Sequence, residues 1–351
     1  MQIAIACQKR GHHIEVFTKE WRGDRPKGFK IHEIAITQWR NFRQDEEFIR
    51  IVQNHTKTDR YDRVIGFNKM PGLDVYFAAD GCFKAKTDHG WKRTLPYLSS
   101  RYRFYNQCEY AVFNPESKIR LLLLSKLQRE SFQKYYAMDD DRYKILSPGI
   151  SNVTINVDDA KAIRASFRGE LGLTENDQVL LMVGSGFRTK GLDRAIKTFA
   201  MLPEDIKLKT LLYVVGEGKQ QWYIKLAKQL QVYDRLCIFG GRDDVSRFLF
   251  GCDILIHPAI TETAGKVILE AMIHGLPVLT TDNCGYADFV TQANAGIVAK
   301  SPFTVNKFAS LLAEMMNSEQ LHEWSANGLD FGKNQEFCTM INEVVKIIEA
   351  H

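Results

Sequence analysis

The sequence has 351 residues, 47 of them Lys or Arg and 42 of them Asp or Glu, and its composition is ordinary for a soluble globular protein. This length is enough for two α/β domains. The seven cysteines include no Cys-x-x-Cys pair, and no apolar run approaches the roughly 18 residues of a membrane-spanning helix. We therefore expect reduced thiols in a cytoplasmic protein, and we exclude an integral membrane protein.

The first third of the chain alternates between helix and strand patterns. An apolar stretch at residues 1–10 predicts the end of a helix that Gly11 closes, followed by a strand over 13–18. Beyond it the pattern predicts a strand near 29–35, a helix near 44–57, and strands over 62–67 and 75–79. Such alternation is typical of a parallel α/β sheet.

A loop with a Pro-Gly pair joins the last two of these strands. It carries Asn68, Lys69 and Asp74, and Asp80 follows the next strand. Loops at the carboxyl ends of parallel strands are where such folds bind ligands, so these four polar residues are candidates for substrate binding. Turn chemistry alone explains Asn68 and the Pro-Gly pair equally well.

The basic residues are distributed unevenly. Residues 82–106 contain six Lys or Arg and one acid, Asp88, so the other 41 basic and 41 acidic residues cancel and this segment carries the whole net charge of +5. Its cations alternate with the aromatic rings of Phe83, Trp91, Tyr97, Tyr102, Phe104 and Tyr105. The candidate membrane-surface residues are Lys84, Lys86, Trp91, Lys92, Arg93, Arg101 and Arg103.

Aromatic rings beside cations suit the interface of an anionic bilayer, because the rings lie at headgroup level while the cations meet phosphates. At ~1 kcal/mol for each Lys or Arg near an anionic leaflet, the six contribute at most about 6 kcal/mol, which is enough for reversible peripheral binding. RNA binding uses the same residue types, and a solvated loop with buried rings is a third interpretation.

A helix over 96–112, a strand over 119–124, a helix from Ser125 to about 136 and a strand over 143–146 complete the first predicted domain. A polar stretch at 151–177 is expected to form a linker and one helix. The predicted boundaries are a first domain over 1–149, a second over 150–330 and a C-terminal segment over 331–351.

The second domain is predicted to open with a strand over 179–183, a glycine-rich loop and a helix from Leu192. This order places backbone N–H groups and cations where a phosphate can bind. The loop is neither a Walker loop nor a Gly-x-Gly-x-x-Gly dinucleotide fingerprint. Its candidate phosphate-binding residues are Gly184, Ser185, Gly186, Arg188 and Lys190.

The most informative stretch follows an apolar strand over 253–257. It runs Thr-Glu-Thr-Ala-Gly over 261–265 and continues into an apolar helix that Gly275 and Pro277 end, before a strand over 278–281. The unpaired N–H groups at the start of such a helix bind anions, and the small residues Thr263, Ala264 and Gly265 let a diphosphate approach.

Two carboxylates belong to this stretch. We expect Glu262 at the mouth of the helix and Glu270, eight positions later, about two helical turns further along. One carboxylate can then meet the hydroxyls of a sugar while the other reaches a ribose. An ordinary βαβ unit with two solvated glutamates is the alternative.

Strands over 211–215 and 235–239 lie between these two loops, and Arg242 follows the second of them. That position suits a contact with a nucleotide base, although a solvated charge at a helix start explains Arg242 equally well. The rest of the chain predicts a helix over 287–293, a strand over 296–298, a helix over 304–316 and an amphipathic helix over 336–350.

The stretch from 261 to 286 resembles the Glu-x7-Glu signature of retaining, nucleotide-sugar-dependent glycosyltransferases of the GT-B architecture. The string RVIGFNKMPGLDVYFAAD over 63–80 resembles, more specifically, the lipopolysaccharide core glucosyltransferase I family of Gram-negative bacteria. The resemblance covers the chain from about Arg10 onward. It implies an α/β fold of two Rossmann-like domains whose parallel sheets face each other across a cleft, and a C-terminal helix that returns to the first domain.

The resemblance also implies a reaction and a set of roles. Glucose would pass from UDP-glucose to an inner-core heptose of lipopolysaccharide at the cytoplasmic face of the inner membrane, with no metal ion and no nucleic acid involved. Glu262 would hold the donor sugar with the backbone of Ala264 and Gly265, while Glu270 would bind the ribose. Donor-side roles fall to Gly184, Ser185, Gly186, Lys190, Arg188, Arg242 and Thr263, and acceptor-side roles to Asn68, Lys69, Asp74 and Asp80.

Two departures from the family pattern stand out. The family's phosphate loop has an Arg where this chain has Ser185, so Arg188 and Lys190 supply the cations. Relatives also begin with a strand and a glycine-rich loop that we do not find, so we expect the first sheet to lack its middle strand, as in a fragment. One alternative function is a related GT-B enzyme, either a transferase with another donor sugar or a nucleotide-sugar epimerase. The other is a UDP-binding module without catalysis.

Overall fold

The computed structural model describes residues 1–59, 61–88, 99–150, 157–334, 337 and 339–350. The chain divides into two compact units. The first unit comprises Met1–Pro148 with Thr339–His351, and the second comprises Gly149–Cys338. In the part of the chain that the structure describes, no helix is long and apolar enough to cross a membrane.

The first unit alternates helices with short strands. Its elements are α1 (Gln2–Lys9), β1 (Ile14–Thr18), β2 (Phe29–Glu33), α2 (Asn41–Thr58), β3 (Ile65–Gly66), β4 (Val75–Phe77), α3 (Phe83–Thr87), α4 (Ser100–Phe113), β5 (Arg120–Leu123), α5 (Lys126–Gln133) and β6 (Tyr143–Ile145).

Two separate parallel sheets form in this unit, one with the order β1-β2 and one with the order β3-β4-β5-β6. Within the described residues, β1 and β3 each pair along one edge only. Residues of both strands line the same cavity of about 650 Å³, together with residues of α1 and α2. No described strand pairs with both β1 and β3.

The second unit has the following elements: α6 (Val157–Glu170), β7 (Gln178–Val183), α7 (Phe187–Lys190), α8 (Leu192–Ala200), α9 (Glu204–Lys207), β8 (Thr210–Val215), α10 (Gln221–Gln229), β9 (Leu236–Ile238), α11 (Val245–Gly251), β10 (Ile254–His257), α12 (Lys266–Ile273), β11 (Val278–Thr281), α13 (Ala287–Ala293), β12 (Gly296–Ala299), α14 (Val305–Met316) and α15 (Leu321–Asn334). The last helix of the chain, α16 (Met340–Ala350), belongs to the first unit.

Helix α16 is tied to the N-terminal part of the first unit. The Arg10 guanidinium lies 2.8 Å from the Glu349 carboxylate, and the His12 ring lies 3.0 Å from it. The backbone N–H of Ser147 donates to the Glu343 carboxylate at 3.3 Å. The expectation that the C-terminal helix returns to the first half of the chain is therefore confirmed.

The sheet of the second unit has six parallel strands in the order β12-β11-β10-β7-β8-β9. Chain order therefore reverses between β7 and β10, as it does in a Rossmann fold. The central strands are apolar because helices cover both faces of a parallel sheet. Leu180, Met182, Leu212, Val214 and Ile256 are all fully buried in its core.

Several element predictions need correction. The strand expected over 62–67 pairs only at Ile65–Gly66. The helix expected from 96 begins at Ser100, because Ser99 is extended and its hydroxyl caps the backbone N–H of Tyr102 at 3.1 Å. The helix expected from 336 begins at Met340. Helices α3, α7, α9, α10 and α15 were not expected.

Candidate functional site

The loops that follow β7 and β10 meet at the point where strand order reverses. Lys190 and Glu262 form an ion pair there, with the Lys190 Nζ against the Glu262 Oε2. The backbone N–H of Ile260 donates to the carbonyl of Thr189 at 2.9 Å and holds the two loops together. Ligands of open α/β sheets bind outside the carboxyl ends of the strands at such a reversal, so this is the candidate active site.

Helix α7 places Lys190 against Glu262 and leaves Arg188 exposed to solvent. Gly186 has a φ of 74° and begins a single helical turn that closes at Gly191. The turn buries Phe187, leaves Arg188 exposed and places Lys190 across Gly184. A Cβ atom on Gly184 would lie 3.1 Å from the Lys190 Cε, so a glycine lets the lysine stem pass.

The glycine-rich loop also contacts the loop after β8. The Ser185 hydroxyl accepts a hydrogen bond from the backbone N–H of Glu217 at 3.0 Å. The backbone N–H of Gly186 donates to the Glu217 carbonyl at 3.2 Å. Ser185 therefore fixes the loop, and within the described residues Arg188 forms no salt bridge and stays exposed to solvent.

Glu262 lies in a loop, and the prediction that it stands at the helix mouth two turns from Glu270 is wrong. Gly265, with a φ of 90°, precedes the helix, and α12 begins only at Lys266. Residue 262 instead pairs with the segment after β11. Its N–H donates to the carbonyl of Asn283, and its carbonyl accepts from the N–H of Gly285, both at 3.0 Å.

The charge state of Glu262 follows from its neighbours. Burial raises the pKa of this carboxyl, but His257 and Lys190 outweigh burial and lower the pKa to about 2. Glu262 is therefore an anion near neutral pH and can accept hydrogen bonds but not donate one. Its side chain keeps an exposure of 14%, so one side of the carboxylate is open.

Glu270 has a different environment. Burial raises its pKa, and the Lys266 ammonium opposes that shift. Within the described ranges its carboxylate has no hydrogen bond or ion pair, whereas its backbone carbonyl lies 2.6 Å from the His274 ring. A half-buried carboxyl without a protein partner is available to a ligand hydroxyl.

Arg242 forms a two-point contact with the Asp244 carboxylate at 2.8 and 2.7 Å. Its guanidinium also lies 5.8 Å from the centre of the Phe248 ring. The side chain is exposed. The arginine is thus held in place after β9, where a planar group can present a flat face to a ligand.

The substrate-binding candidates of the first unit separate into two groups. Asn68, Lys69 and Asp80 line one cavity of about 160 Å³. Asp74 does not line it, because its carboxylate accepts a hydrogen bond from the backbone N–H of Val64 at 2.7 Å. Asp74 therefore supports the strand pairing of β3 and β4.

Lys69 is held by three oxygen atoms. Its ammonium lies 3.0 Å from Asp80, 2.8 Å from the carbonyl of Gly81 and 3.1 Å from Glu109. Glu109 is fully buried and also accepts hydrogen bonds from the backbone of Phe83 and Lys84. Lys69 thus neutralises a buried anion, a role that sequence reasoning missed.

The basic segment is described in part. Trp91, Lys92 and Arg93 lie outside the described residues. Lys86, Arg101 and Arg103 are exposed, and the Lys84 ammonium lies 4.8 Å from the centre of the Tyr136 ring. Tyr102, one of the aromatic rings of this segment, lies in the core on the buried side of α4.

Two further residues beside Glu262 were missed. His257 ends β10 and is fully buried, with its Nε2 atom 3.5 Å from the Glu262 Oε2. Cys284 is also buried and its backbone pairs with residue 262. Burial raises the pKa of the Cys284 thiol, but His257 outweighs burial and lowers it. A histidine at the end of a strand beside the site was the only available signal.

Comparison with known proteins places these features in a family. The family described as glycosyl transferases group 1 matches residues 163–330. Lipopolysaccharide glucosyltransferase WaaG of Escherichia coli (strain K12) is 40% identical over 349 residues, which are 99% of this chain and 93% of that protein. The chain belongs to the lipopolysaccharide core glucosyltransferase family.

Solved structures agree with this family. A crystal structure of WaaG, described as a glycosyltransferase involved in lipopolysaccharide biosynthesis, matches with a TM-score of 0.92 at 39% identity, over 100% of this chain and 95% of that chain. The chain accordingly has the GT-B fold. Anabaena Alr3699/HepE in complex with UDP and glucose shares the fold at 17% identity, with a TM-score of 0.67 over 92% of this chain and 86% of that chain.

The described residues of the protein contain no group of side chains arranged as a metal site. No three His, Cys, Asp or Glu side chains come together there in a group that could hold an ion. Lys190 and Arg188 are two cations of the helical turn that follows the glycine-rich loop.

Proposed function

We propose that this glycosyltransferase moves glucose from UDP-glucose to an inner-core heptose of lipopolysaccharide, with retention of the anomeric configuration, at the cytoplasmic face of the inner membrane. The observation that carries the proposal is the Lys190–Glu262 ion pair at the strand-order reversal of the second unit. The 40% identity to WaaG, named a lipopolysaccharide glucosyltransferase, supports glucose as the sugar and lipopolysaccharide as the acceptor.

In this proposal, Lys190 stabilises the departing UDP. When the bond between the sugar and UDP breaks, negative charge develops on the diphosphate, and a cation placed there stabilises the transition state. The Lys190 ammonium has three N–H donors, so it can keep its contact with Glu262 and still donate to a phosphate oxygen. Arg188 is exposed beside it and supplies a second charge, so no metal ion is required for this step.

Glu262 binds the donor sugar. As an anion it accepts hydrogen bonds from sugar hydroxyls, and the backbone of Ala264 and Gly265 lies next to it before α12 begins. Glu270, without a protein partner in the described residues, accepts from the ribose. Arg242 flanks the base, and the complex of HepE, which shares the fold, with UDP supports a nucleoside diphosphate as the ligand.

The acceptor binds to the first unit in this proposal. Asn68 and Asp80 line its 160 Å³ cavity and offer an amide and a carboxylate to the hydroxyls of a saccharide. The exposed cations Lys86, Arg101 and Arg103 bring the protein to an anionic membrane, where a lipid-anchored acceptor is found.

The test is transfer to a truncated lipopolysaccharide core from several UDP-sugars, with product analysis and with a metal chelator present. We expect Lys190→Ala and Glu262→Ala each to lower turnover by about 100-fold or more. Lys197→Ala is the matched control, because Lys197 lies on α8 and its one ion pair among the described residues is with Asp193 on its own helix. Near-normal turnover in either site variant would contradict the site assignment.

Each other result has a defined meaning. Transfer from UDP-galactose or UDP-N-acetylglucosamine in preference to UDP-glucose would keep the site and change the donor. An inverted product would reject retention, and loss of turnover with the chelator would reject a metal-independent reaction. UDP binding without transfer from any donor would indicate a binding module.

A further inference from the structure

His257 is buried without a conventional partner. Its side chain has an exposure of 0%, and among the described residues neither ring nitrogen forms a hydrogen bond. Buried polar groups nearly always have partners, so an exception requires an explanation. The nearest charged group is Glu262, whose Oε2 atom lies 3.5 Å from the His257 Nε2.

The two cations at Glu262 contact the same oxygen atom. Lys190 and His257 both lie against Oε2. The other oxygen, Oε1, has no side-chain partner among the residues described. The carboxylate is thus held at one oxygen, which leaves the second available as an acceptor.

The backbone around this pair is also restrained. The backbone N–H and the backbone carbonyl of Glu262 both form hydrogen bonds with the segment 283–285. The Thr280 hydroxyl lies 3.1 Å from the His257 carbonyl and 3.3 Å from the Cys284 sulfur. These contacts fix the backbones that carry His257 and Glu262, and the complete burial of the His257 side chain limits rotation of its ring.

We propose that His257 is a positioning residue, which holds the Glu262 Oε2 from the buried side while Lys190 holds it from the open side, and so keeps Oε1 available to a hydroxyl of the donor sugar. The inference rests on the proposed sugar-binding role of Glu262. A carboxylate held by Lys190 alone could rotate about its last bond and exchange its oxygens, because a lysine ammonium imposes little geometry.

The charge on the ring agrees with this role. Burial alone would lower the pKa of His257, but Cys284 and Glu262 outweigh burial and raise the pKa to about 9. The ring is then an imidazolium near neutral pH, and both nitrogens can donate.

Two substitutions separate positioning from packing. The amide nitrogen of Gln lies near the position of Nε2 in histidine, whereas that of Asn lies nearer Nδ1. His257→Gln therefore keeps a donor towards Glu262, and His257→Asn removes it. We expect His257→Asn to lower kcat by about 100-fold and to abolish the extra affinity for UDP-glucose over UDP. The affinity for UDP itself should stay close to that of the unchanged protein.

His257→Gln should restore both kcat and the preference for UDP-glucose. Normal kcat and normal donor preference in His257→Asn would overturn the proposal. Equal losses in both variants, accompanied by weaker UDP binding and a lower melting temperature, would also overturn it, because that pattern indicates a purely structural histidine.

The free protein gives a readout that does not depend on transfer. If the unchanged protein transfers no sugar from any donor, the proposed function fails, and the contact is then judged by ¹⁵N-histidine NMR spectra. Glu262→Gln should move the ring signals of His257. Ring signals that stay in place would show that Glu262 and His257 do not interact, and would reject the positioning role as well.

Discussion

Glu262 and Lys190 are 72 positions apart in the chain and come together because a parallel sheet places the carboxyl ends of its strands at one edge. Each side chain alone resembles an ordinary surface charge in the sequence. Their contact is what turns a glycine-rich loop and a strand–helix junction into one site. The same argument assigns Lys69 differently, because its three oxygen partners in the first unit satisfy it.

The lowered pKa of Glu262 predicts a specific dependence of stability on pH. A carboxyl with a folded pKa of about 2 and an ordinary unfolded pKa contributes stability that is fully present above the unfolded value and is lost as the pH falls towards the folded value. We expect Glu262→Gln to destabilise the protein most near neutral pH, and this deficit to shrink from about pH 5 to about pH 3.

Urea unfolding at several pH values measures this effect. His257, whose pKa is about 9, keeps its charge over this range, and the carboxyl of Glu262 is the group whose titration the measurement follows. Glu319→Gln, at an exposed position of the same unit, controls for the removal of one carboxylate. A deficit that stays constant as the pH falls would argue against the ion pairs of Glu262.

At the level of elements, the second unit was largely predictable from the sequence. All six of its strands are apolar runs, because both faces of a parallel sheet are buried, and β11 forms over the residues expected for it, Val278–Thr281. Helix α7 was missed because a four-residue turn has no apolar period to detect. The two-turn spacing of Glu262 and Glu270 failed because Gly265 delays the helix, a backbone choice that spacing alone does not reveal.

The first unit was less predictable because its strands are short. Only two residues pair in β3, so apolar alternation over six residues overstated that strand. His257 and Cys284 were missed for another reason. Their importance arises from a tertiary contact with Glu262, and the local sequence signals it only through the position of His257 at the end of a strand.

Helix α15 packs against α12 through two glycines four residues apart. A Cβ atom on Gly328 would lie 2.6 Å from the Met272 carbonyl oxygen, and one on Gly332 would lie 2.7 Å from the Ile273 side chain. This close approach of α15 fixes the position of α12, the helix that carries Glu270. We expect Gly328→Ala to lower the free energy of unfolding by about 1–3 kcal/mol, because the backbone of α12 must shift.

Gly169→Ala is the matched control. Gly169 lies in α6, and a Cβ atom there would have no neighbour within 4 Å, so alanine should stabilise the protein by about 0.5–1 kcal/mol through helix propensity. Denaturant unfolding measures both variants. A stabilising Gly328→Ala would show that α12 and α15 do not approach as closely as described.

At the scale of the whole molecule, the segment that carries the net charge and the residues proposed to bind the nucleotide sugar belong to different units. The net charge of +5 arises within residues 82–106, in the first unit, whereas the nucleotide-sugar candidates all lie in the second unit. Positive charge concentrated in one segment attracts an anionic surface more strongly than the same charge spread over the protein, because salt limits each interaction to about 10 Å at moderate ionic strength. Membrane binding and donor binding should therefore respond to different substitutions.

The membrane prediction follows from this separation. Replacing Lys86, Arg101 and Arg103 together by Gln removes three exposed cations of the basic segment, residues 82–106. At ~1 kcal/mol for each cation near an anionic leaflet, partitioning onto vesicles rich in anionic phospholipid should fall by about 100-fold. Transfer to a short, soluble acceptor should remain unchanged.

Co-sedimentation with vesicles at low and high salt measures the partitioning, and vesicles of neutral phosphatidylcholine should bind neither protein. The control replaces Lys209, Lys225 and Lys228 by Gln, three exposed lysines of the second unit, and so changes the net charge by the same amount. If the control loses as much vesicle binding as the variant of the basic segment, the overall charge of the protein and not the basic segment drives that binding. If neither variant loses binding, electrostatics does not hold the protein at the membrane, and the rings of the segment become the residues to replace next.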